Sequence, residues 1–437
     1  MTQHDTVGLS FDNLGIAPKL LAILASKKFT TPTPIQHQCI PSAIAGKDVV
    51  GIAQTGTGKT LAFGVPLLQR LAIEKGQALI LIPTRELALQ VDETLKKIGA
   101  SLGLKTAVII GGASAHNQIK DLKRNPHVII ATPGRLMDHL EQKVMSLDRV
   151  SIVVLDEADR MFDIGFFPVI KRILAKCPQQ RQTLMFSATM PPAIAQLAAQ
   201  FMHMPLRIEV APSGTTVSGV EQEVFVLDKQ AKLPLLEKIL SENTGTVLVF
   251  TRTKYGAKKI TRVVAAMGHT VVEIHSNRSL AQRKDAMAGF KSGKYRVLIA
   301  TDIAARGIDV TGISLVVNFD LPQNAEDYVH RIGRTARAGA TGKAISFATP
   351  DQRGDIKQIE RLIKKTIPIL SLPELPRKSD AVIRAEYMGG PEREERGGSR
   401  TGRFSRPRPS GVSRGASHSR SRSRTNSRPS AGRRFGR

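Results

Sequence analysis

Ala53-Gln54-Thr55-Gly56-Thr57-Gly58-Lys59-Thr60 follows an apolar run at 48–53 and opens a stretch with helical periodicity. Strand, glycine-rich turn and helix in that order is the context in which a loop wraps phosphate. Glycines let backbone N–H groups close on the anion, and the helix N-terminus adds a favourable dipole. Lys59 then puts its charge on the β- and γ-phosphates of a nucleotide, and the Thr60 hydroxyl ligates Mg²⁺. A glycine-rich turn can also be purely structural; the GKT ending argues against that here. A second cluster belongs with it, where Ile152-Val153-Val154-Leu155 runs into Asp156-Glu157-Ala158-Asp159. Carboxylates at the C-terminal end of an apolar strand point into the ligand crevice of an open α/β sheet. Asp156 can hold Mg²⁺ through water, and Glu157 can orient and deprotonate an attacking water. Alone, the tetrapeptide could be a helix cap or a solvated turn. Paired with GKT, it reads as a hydrolytic site.

Outward from these motifs, short apolar runs alternate with amphipathic stretches. Residues 48–53, 78–82, 128–131, 152–155 and 183–186 are predicted strands, each separated from the next by a helix-length pattern. Nearly continuous apolar strands with helical crossovers imply a parallel sheet covered on both faces. At 211–219 the chain reads APSGTTVSG, small and polar without periodicity, which predicts a linker. The alternation restarts with strands predicted at 246–250, 271–274, 296–300, 315–318 and 344–347. A chain of 437 residues is too long for one ordinary core. The expectation is two α/β domains, 1–210 and 220–373, with a cleft between them. Residues 374–437 are expected to form a disordered basic tail. From Arg396 onward there are thirteen arginines and no acidic residue, and such a segment cannot bury enough apolar surface to offset its ordering entropy.

The net charge is +27. A surplus of that size implies a polyanionic partner, nucleic acid first, or else a basic surface kept for solubility. The arginine-rich end either touches RNA backbone or stays solvated. Cys39 and Cys177 cannot make a disulfide framework and lack partners at metal-ligand spacing, so both are expected in the core. No apolar run approaches the ~20 residues that span a bilayer, and the first residues lack a signal-peptide pattern. A cytoplasmic protein with no membrane partner is the expectation.

Further motifs complete a pattern: Phe29-Thr30-Thr31-Pro32-Thr33-Pro34-Ile35-Gln36, Pro83-Thr84-Arg85-Glu86-Leu87, Gly111-Gly112, Thr132-Pro133-Gly134-Arg135, Ser187-Ala188-Thr189 and Val249-Phe250-Thr251-Arg252-Thr253. The series closes with Ala300-Thr301-Asp302-Ile303-Ala304-Ala305-Arg306-Gly307-Ile308-Asp309 and His330-Arg331-Ile332-Gly333-Arg334-Thr335-Ala336-Arg337. Any one tetrapeptide is weak, but in this order the chain resembles the DEAD-box RNA helicases over nearly all of residues 11–373. ATDIAARGID, HRIGRTARAG and the arginine-rich end are most similar to the bacterial RhlE-type subgroup.

The resemblance implies two tandem RecA-like domains and ATP-dependent, Mg²⁺-dependent local unwinding or remodelling of RNA. Ribosome assembly and RNA decay are the settings it suggests. For ATP it implies Phe29, Thr33 and Gln36 at the adenine, the loop 53–60 at the phosphates, and Gly307 and Asp309 from the second domain. Phe11 matches an isolated upstream aromatic that packs by the base, or is a core residue. Arg334 and Arg337 resemble arginine fingers delivered across the cleft to the γ-phosphate. Asp159, Ser187, Thr189 and His330 resemble coupling residues. Arg85, Gly112, Thr132 and Arg135 match backbone-binding positions in the first domain, and Arg252, Arg283 and Thr301 in the second. Phosphate and 2′-OH contacts carry no base information, so sequence-independent binding of single strands and short duplexes is implied.

Departures from the family pattern are few. Ala53 stands for the usual first Gly of the loop, Lys28 for a Gly before Phe29, and Ser276 and Leu280 for a common Gly and Gln near Arg283. Ala336 replaces a frequent Gly, at little expected cost. The motifs do not separate a helicase from an ATP-gated RNA clamp or scaffold with little unwinding. A non-enzymatic RNA binder is disfavoured by intact Lys59, Asp156, Glu157, Arg334 and Arg337.

Overall fold

The computed structural model describes residues 9–54, 56–210, 219–302, 310, 312–336, 341–377 and 379–387. Two seven-stranded sheets organise them. The first contains β1 (Val49–Ile52), β2 (Gln77–Leu81), β3 (Thr106–Ile109), β4 (Val128–Ala131), β5 (Val150–Leu155), β6 (Gln182–Ser187) and β7 (Leu206–Glu209), in the order β3-β4-β2-β5-β6-β1-β7. The second contains β8 (Val220–Val226), β9 (Val247–Phe250), β10 (Val271–Ile274), β11 (Val297–Ala300), β12 (Leu315–Asn318), β13 (Gly342–Ala348) and β14 (Ile369–Leu370), in the order β10-β11-β9-β12-β13-β8-β14. Every pairing is parallel. This is the expected pair of α/β domains; residues 211–218 of the expected linker lie outside the described residues.

Successive strand residues feed opposite cores, because side chains alternate across a strand. Ala78, Ile80, Ile152 and Val154 join one apolar cluster of the first domain, whereas Leu79, Leu81, Val153 and Leu155 join the other. Full burial of such a side chain contributes about 1.5–3 kcal/mol. That requirement on both faces explains the continuous apolar runs. Parallel strands also put all their C-terminal ends on one edge. β2, β5, β6 and β1 are consecutive there, with Ile52 in register with Ser187 and Leu81 with Leu155. The segments that follow them, 53–60, 83–87, 156–159 and 187–189, are thereby gathered at one edge.

The expected tail begins too early. A helix, Asp380–Tyr387, packs on the helix Lys254–Ala266: Val382 is buried in the second domain's core, and Lys259 Nζ meets Glu386 Oε1 at 3.1 Å. Leu375, Val382 and Ala385 supply the apolar contact that the arginine-rich stretch lacks. Residues 388–437, with all thirteen of those arginines, lie outside the described residues. Cys39 and Cys177 are buried and free. Among the described residues, no helix is long and apolar enough to cross a membrane.

Candidate functional site

The loop at 53–60 is held from two sides. Gly56 and Gly58 adopt φ of 87° and 86°, and Gly58 caps the helix Lys59–Ile73. Lys59 is buried, and its Nζ donates to Ala53 O at 2.9 Å, leaving donors for an anion. Thr33 Oγ1 donates to Thr57 O at 2.7 Å, and Gln36 Nε2 donates to Gly58 O at 2.9 Å. Gln36 Oε1 accepts from the Thr33 N–H at 2.9 Å, closing a capping box. These bonds leave Gln36 one donor and one lone pair, which suits an adenine edge. Thr57 Oγ1 donates to Gln54 O at 2.7 Å. Thr60 is half-buried one residue into the helix, and Thr55 lies outside the described residues. Phe29 is half-buried with Lys97 Nζ 5.2 Å from its ring centroid. Phe11 is corrected to a core residue: it is 4% exposed in the first domain's apolar cluster, with almost no ring face left for a base.

Gly58 also sets a steric limit. A Cβ there would run into the Gln36 amide, and left-handed φ costs an L-residue about 1–2 kcal/mol. Gly58→Ala is therefore expected to weaken nucleotide binding by roughly tenfold or more. Titration with a fluorescent nucleotide checks this. An unchanged affinity would mean that this backbone does not cradle phosphate.

Asp156 and Glu157 end β5, and both are buried. Burial pushes the Asp156 carboxyl up to about 7, against the pull of Lys59. Burial pushes on Glu157 as well, but Arg160, then Lys59 and Arg334, outweigh it and hold that carboxyl down at about 2. Arg160 Nη1 lies 2.7 Å from Glu157 Oε2. Glu157 is in the left-handed region, φ 52°, a strained conformation of the kind that collects at functional sites. Asp159 binds the neighbouring strand's end: its Oδ2 accepts from Ala188 N at 3.0 Å, Thr189 N at 2.8 Å and Thr189 Oγ1 at 3.1 Å. Its own N–H donates to Ser187 Oγ at 3.1 Å. The segments 156–159 and 187–189 are thus one rigid unit.

The second domain reaches this unit. A small cavity is lined by Arg160 of the first domain and by Phe250, Asp302, His330, Arg331 and Arg334 of the second. Arg334 is buried, its Nε donating to His330 O at 3.2 Å. Burial, then Arg160 and Arg334, push the His330 imidazole down to about 4, so it is neutral at pH 7. Gly307, Asp309 and Arg337 lie outside the described residues. Ala336 has φ 52° and Lys28 φ 63°. Both positions favour glycine, so the cost of Ala336 is corrected from little to about 1–2 kcal/mol.

Of the backbone-binding candidates, Arg85 lies directly over Gly111 and Gly112, where a Cβ on Gly112 would strike its guanidinium. Thr132 donates its N–H to Ile109 O at 3.0 Å, and Arg135 Nη1 lies 3.5 Å from Asp138. Arg252 and Thr301 line one cleft of about 290 Å³ with Lys254 and Ser276, and Asp163 of the first domain also lines it. Arg283 differs from the others: it is buried, with Nη2 2.7 Å from Glu86 Oε2 of the first domain. Leu280 packs on the first domain's apolar cluster, so this departure from the family pattern makes an interdomain contact.

Arg331 was legible in HRIGR but carried no role. It is almost fully buried, forks onto both Asp302 oxygens at 2.6 and 2.7 Å, and lies 4.9 Å from the Phe250 ring centroid. It therefore ties Asp302, just past β11, to the end of the helix Ala325–Ile332. Gln118, on the helix Ala115–Leu122, accepts from Arg135 Nε at 3.3 Å, a contact for which a lone Gln on an amphipathic helix carries no sequence signal.

The DEAD/DEAH box helicase family profile matches residues 33–197, and the helicase conserved C-terminal domain profile matches residues 231–339. The DEAD-box ATP-dependent RNA helicase CshA of Bacillus cereus is 42% identical over 369 residues, 84% of this chain and 70% of that one. The ATP-dependent rRNA helicase RRP3 of Debaryomyces hansenii is 42% identical over 380 residues, 86% of this chain and 78% of that one. Among solved structures, Saccharomyces cerevisiae Dbp5 bound to RNA and ADP BeF3 aligns with a TM-score of 0.75 at 31% identity, covering 82% of this chain and 95% of that one.

Proposed function

The chain belongs to the DEAD-box family of ATP-dependent RNA helicases, and from that premise we propose how its own residues do the work. It is an ATP-dependent RNA helicase built from two tandem RecA-like domains. ATP sits on Gln36, Thr33 and Phe29 at the base and on the loop 53–60, with Lys59 at the β- and γ-phosphates. The all-oxygen pair Thr60 and Asp156 suits a hard cation, and a positive charge beside Asp156 would offset the burial that pushes its carboxyl to about 7. Bound there, Mg²⁺ neutralises phosphate charge. Glu157 orients the attacking water and takes its proton, while Arg334 and Arg337 meet the charge that develops on the γ-phosphate.

One observation carries the coupling: Asp159 binds Ser187 and Thr189, while Arg334 of the second domain acts on the neighbouring Glu157 and His330 lines a cavity with Arg160. ATP and RNA both bridge the two domains, so each offsets part of the closure cost for the other. RNA backbone lies along Arg85, Gly112, Thr132 and Arg135, then Arg252 and Thr301. Arg283 holds the first domain through Glu86 and orders the same face. ATP turnover is therefore expected to rise at least tenfold with single-stranded RNA, because RNA bridging both domains holds them in the arrangement in which Arg334 acts on the Glu157 cluster. Equal rates with and without RNA would remove this clamp.

The domain bounds proposed are 1–210 and 220–373, with the helix Asp380–Tyr387 appended to the second domain. The bacterial RhlE-type subgroup is supported by ATDIAARGID and HRIGRTARAG, and the cytoplasm is the proposed place of work. Between ribosome assembly and RNA decay, the rRNA helicase name of the D. hansenii relative supports the former.

A further inference from the structure

We propose that Gln118 is a positioning residue that sets the RNA-binding face of the first domain by fixing the Gly111–Gly112 turn and the Arg135 side chain to one another. The inference rests on the reading that Arg85, Gly112 and Arg135 contact RNA backbone.

Gln118 lies on the helix Ala115–Leu122 and is only 4% exposed. Its Nε2 donates to Ile110 O at 2.8 Å and to Ala113 O at 3.5 Å, the two carbonyls that flank the glycine pair. Its Oε1 accepts from Arg135 Nε at 3.3 Å and from His139 Nε2 at 3.1 Å. A primary amide has two N–H donors and two acceptor lone pairs, and here all four are used. No other side chain of that size supplies both halves. Glu would face two carbonyl oxygens without a donor, and Leu or Met would take away the donor to the buried Ile110 carbonyl and the acceptor of the part-buried Arg135 Nε, which is costly.

What is clamped gives the node its purpose. Gly112 adopts φ 73°, and the Arg85 guanidinium lies directly over it. A turn free to shift would carry the Gly112 N–H and the floor under Arg85 with it. Arg135 is a long side chain whose Nη1 is held at 3.5 Å by the half-exposed Asp138, a weak restraint alone. His139 is buried, burial and then Arg135 push its imidazole below the usual value, and its Nε2 faces the acceptor oxygen of Gln118. Gln118 thus ties the ends of β3 and β4, through turn and helix, into one preformed surface. Preformed geometry lowers the ordering cost that backbone binding must meet.

The test uses RNA-stimulated ATPase of the full chain with Gln118→Met, Arg135→Met and the double variant. Losing a buried hydrogen-bond node is expected to raise half-saturating RNA by roughly five- to tenfold in Gln118→Met. Turnover at saturating RNA and the KM for ATP should stay within about twofold. The double variant should fall short of the product of the two single effects, since partners in one network are not additive. An unchanged half-saturating RNA in Gln118→Met, or effects that multiply in the double variant, overturns the inference. An unchanged value in Arg135→Met overturns the RNA-face reading instead. Should Gln118→Met fail to fold, His139→Leu removes a single arm; it is expected to raise half-saturating RNA by about two- to threefold, and no change there overturns the inference equally.

Discussion

Glu157→Gln is expected to bind ATP and RNA as the parent chain does while losing about 10²–10⁴ in turnover. The amide keeps the shape of the carboxylate but cannot take a proton from water. Glu157 is the second carboxylate of β5's end, and Arg160, Lys59 and Arg334 hold it at about 2. It is therefore ionised throughout the working range, always able to accept, but a weak base as placed. Full basicity needs the 2.7 Å pair with Arg160 to loosen. A mutant blocked at this step should accumulate the closed state. RNA release in the presence of ATP should slow in parallel with hydrolysis, which a chase of labelled RNA by unlabelled strand measures. Parent-like turnover would show that Glu157 is not the base.

The catalytic strands were legible because they are the buried centre of their sheets. β1, β2, β4, β5, β9, β11 and β12 meet the core on both faces, so their sequences are apolar but for Gln77, Ser151 and Asn318. The strands that escaped reading lie toward the edges. β7 buries one of its four residues, β14 has two exposed residues, and β3 alternates buried with half-buried positions. β8 intersperses Glu221, Gln222 and Glu223 among its apolar residues. Such strands are fixed by the neighbour they pair with, which local sequence does not specify. The same holds for the site. Lys59, Asp156 and Glu157 announce themselves because phosphate chemistry demands those residue types in contiguous order. Arg331 on Asp302, Arg283 on Glu86 and Gln118 on Arg135 are pairings between distant segments, visible only once the fold brings the partners together. Ala336 and Lys28 add a case of backbone: the sequence names both as departures from glycine, but only the φ values show both positions to be left-handed.

Arg334→Ala is expected to lose about 10³–10⁵ in turnover, the effect of removing an arginine finger, and to fail in a different way from Glu157→Gln. Arg334 is buried just past the helix Ala325–Ile332, anchored through its Nε to His330 O at 3.2 Å. Its charge already acts on Glu157 and His330, which in the proposed site puts it beside the γ-phosphate. Lysine would not replace it well, because a point charge lacks the planar fork that meets two phosphate oxygens. ATP affinity of the open chain should change little, since Lys59, Gln36 and the glycine loop all belong to the first domain. What should fall is the mutual strengthening of ATP and RNA binding, because the second domain loses the contact by which it senses the γ-phosphate. RNA affinity measured with a non-hydrolysable ATP analogue should therefore approach its nucleotide-free value in Arg334→Ala, whereas in Glu157→Gln it should stay at the parent's tighter value. The two variants then separate chemistry from closure. If Arg334→Ala kept the analogue-induced gain in RNA affinity, closure would have to be driven from elsewhere, through contacts such as the Glu86–Arg283 pair, Leu280 on the first domain's core and His330 beside Arg160.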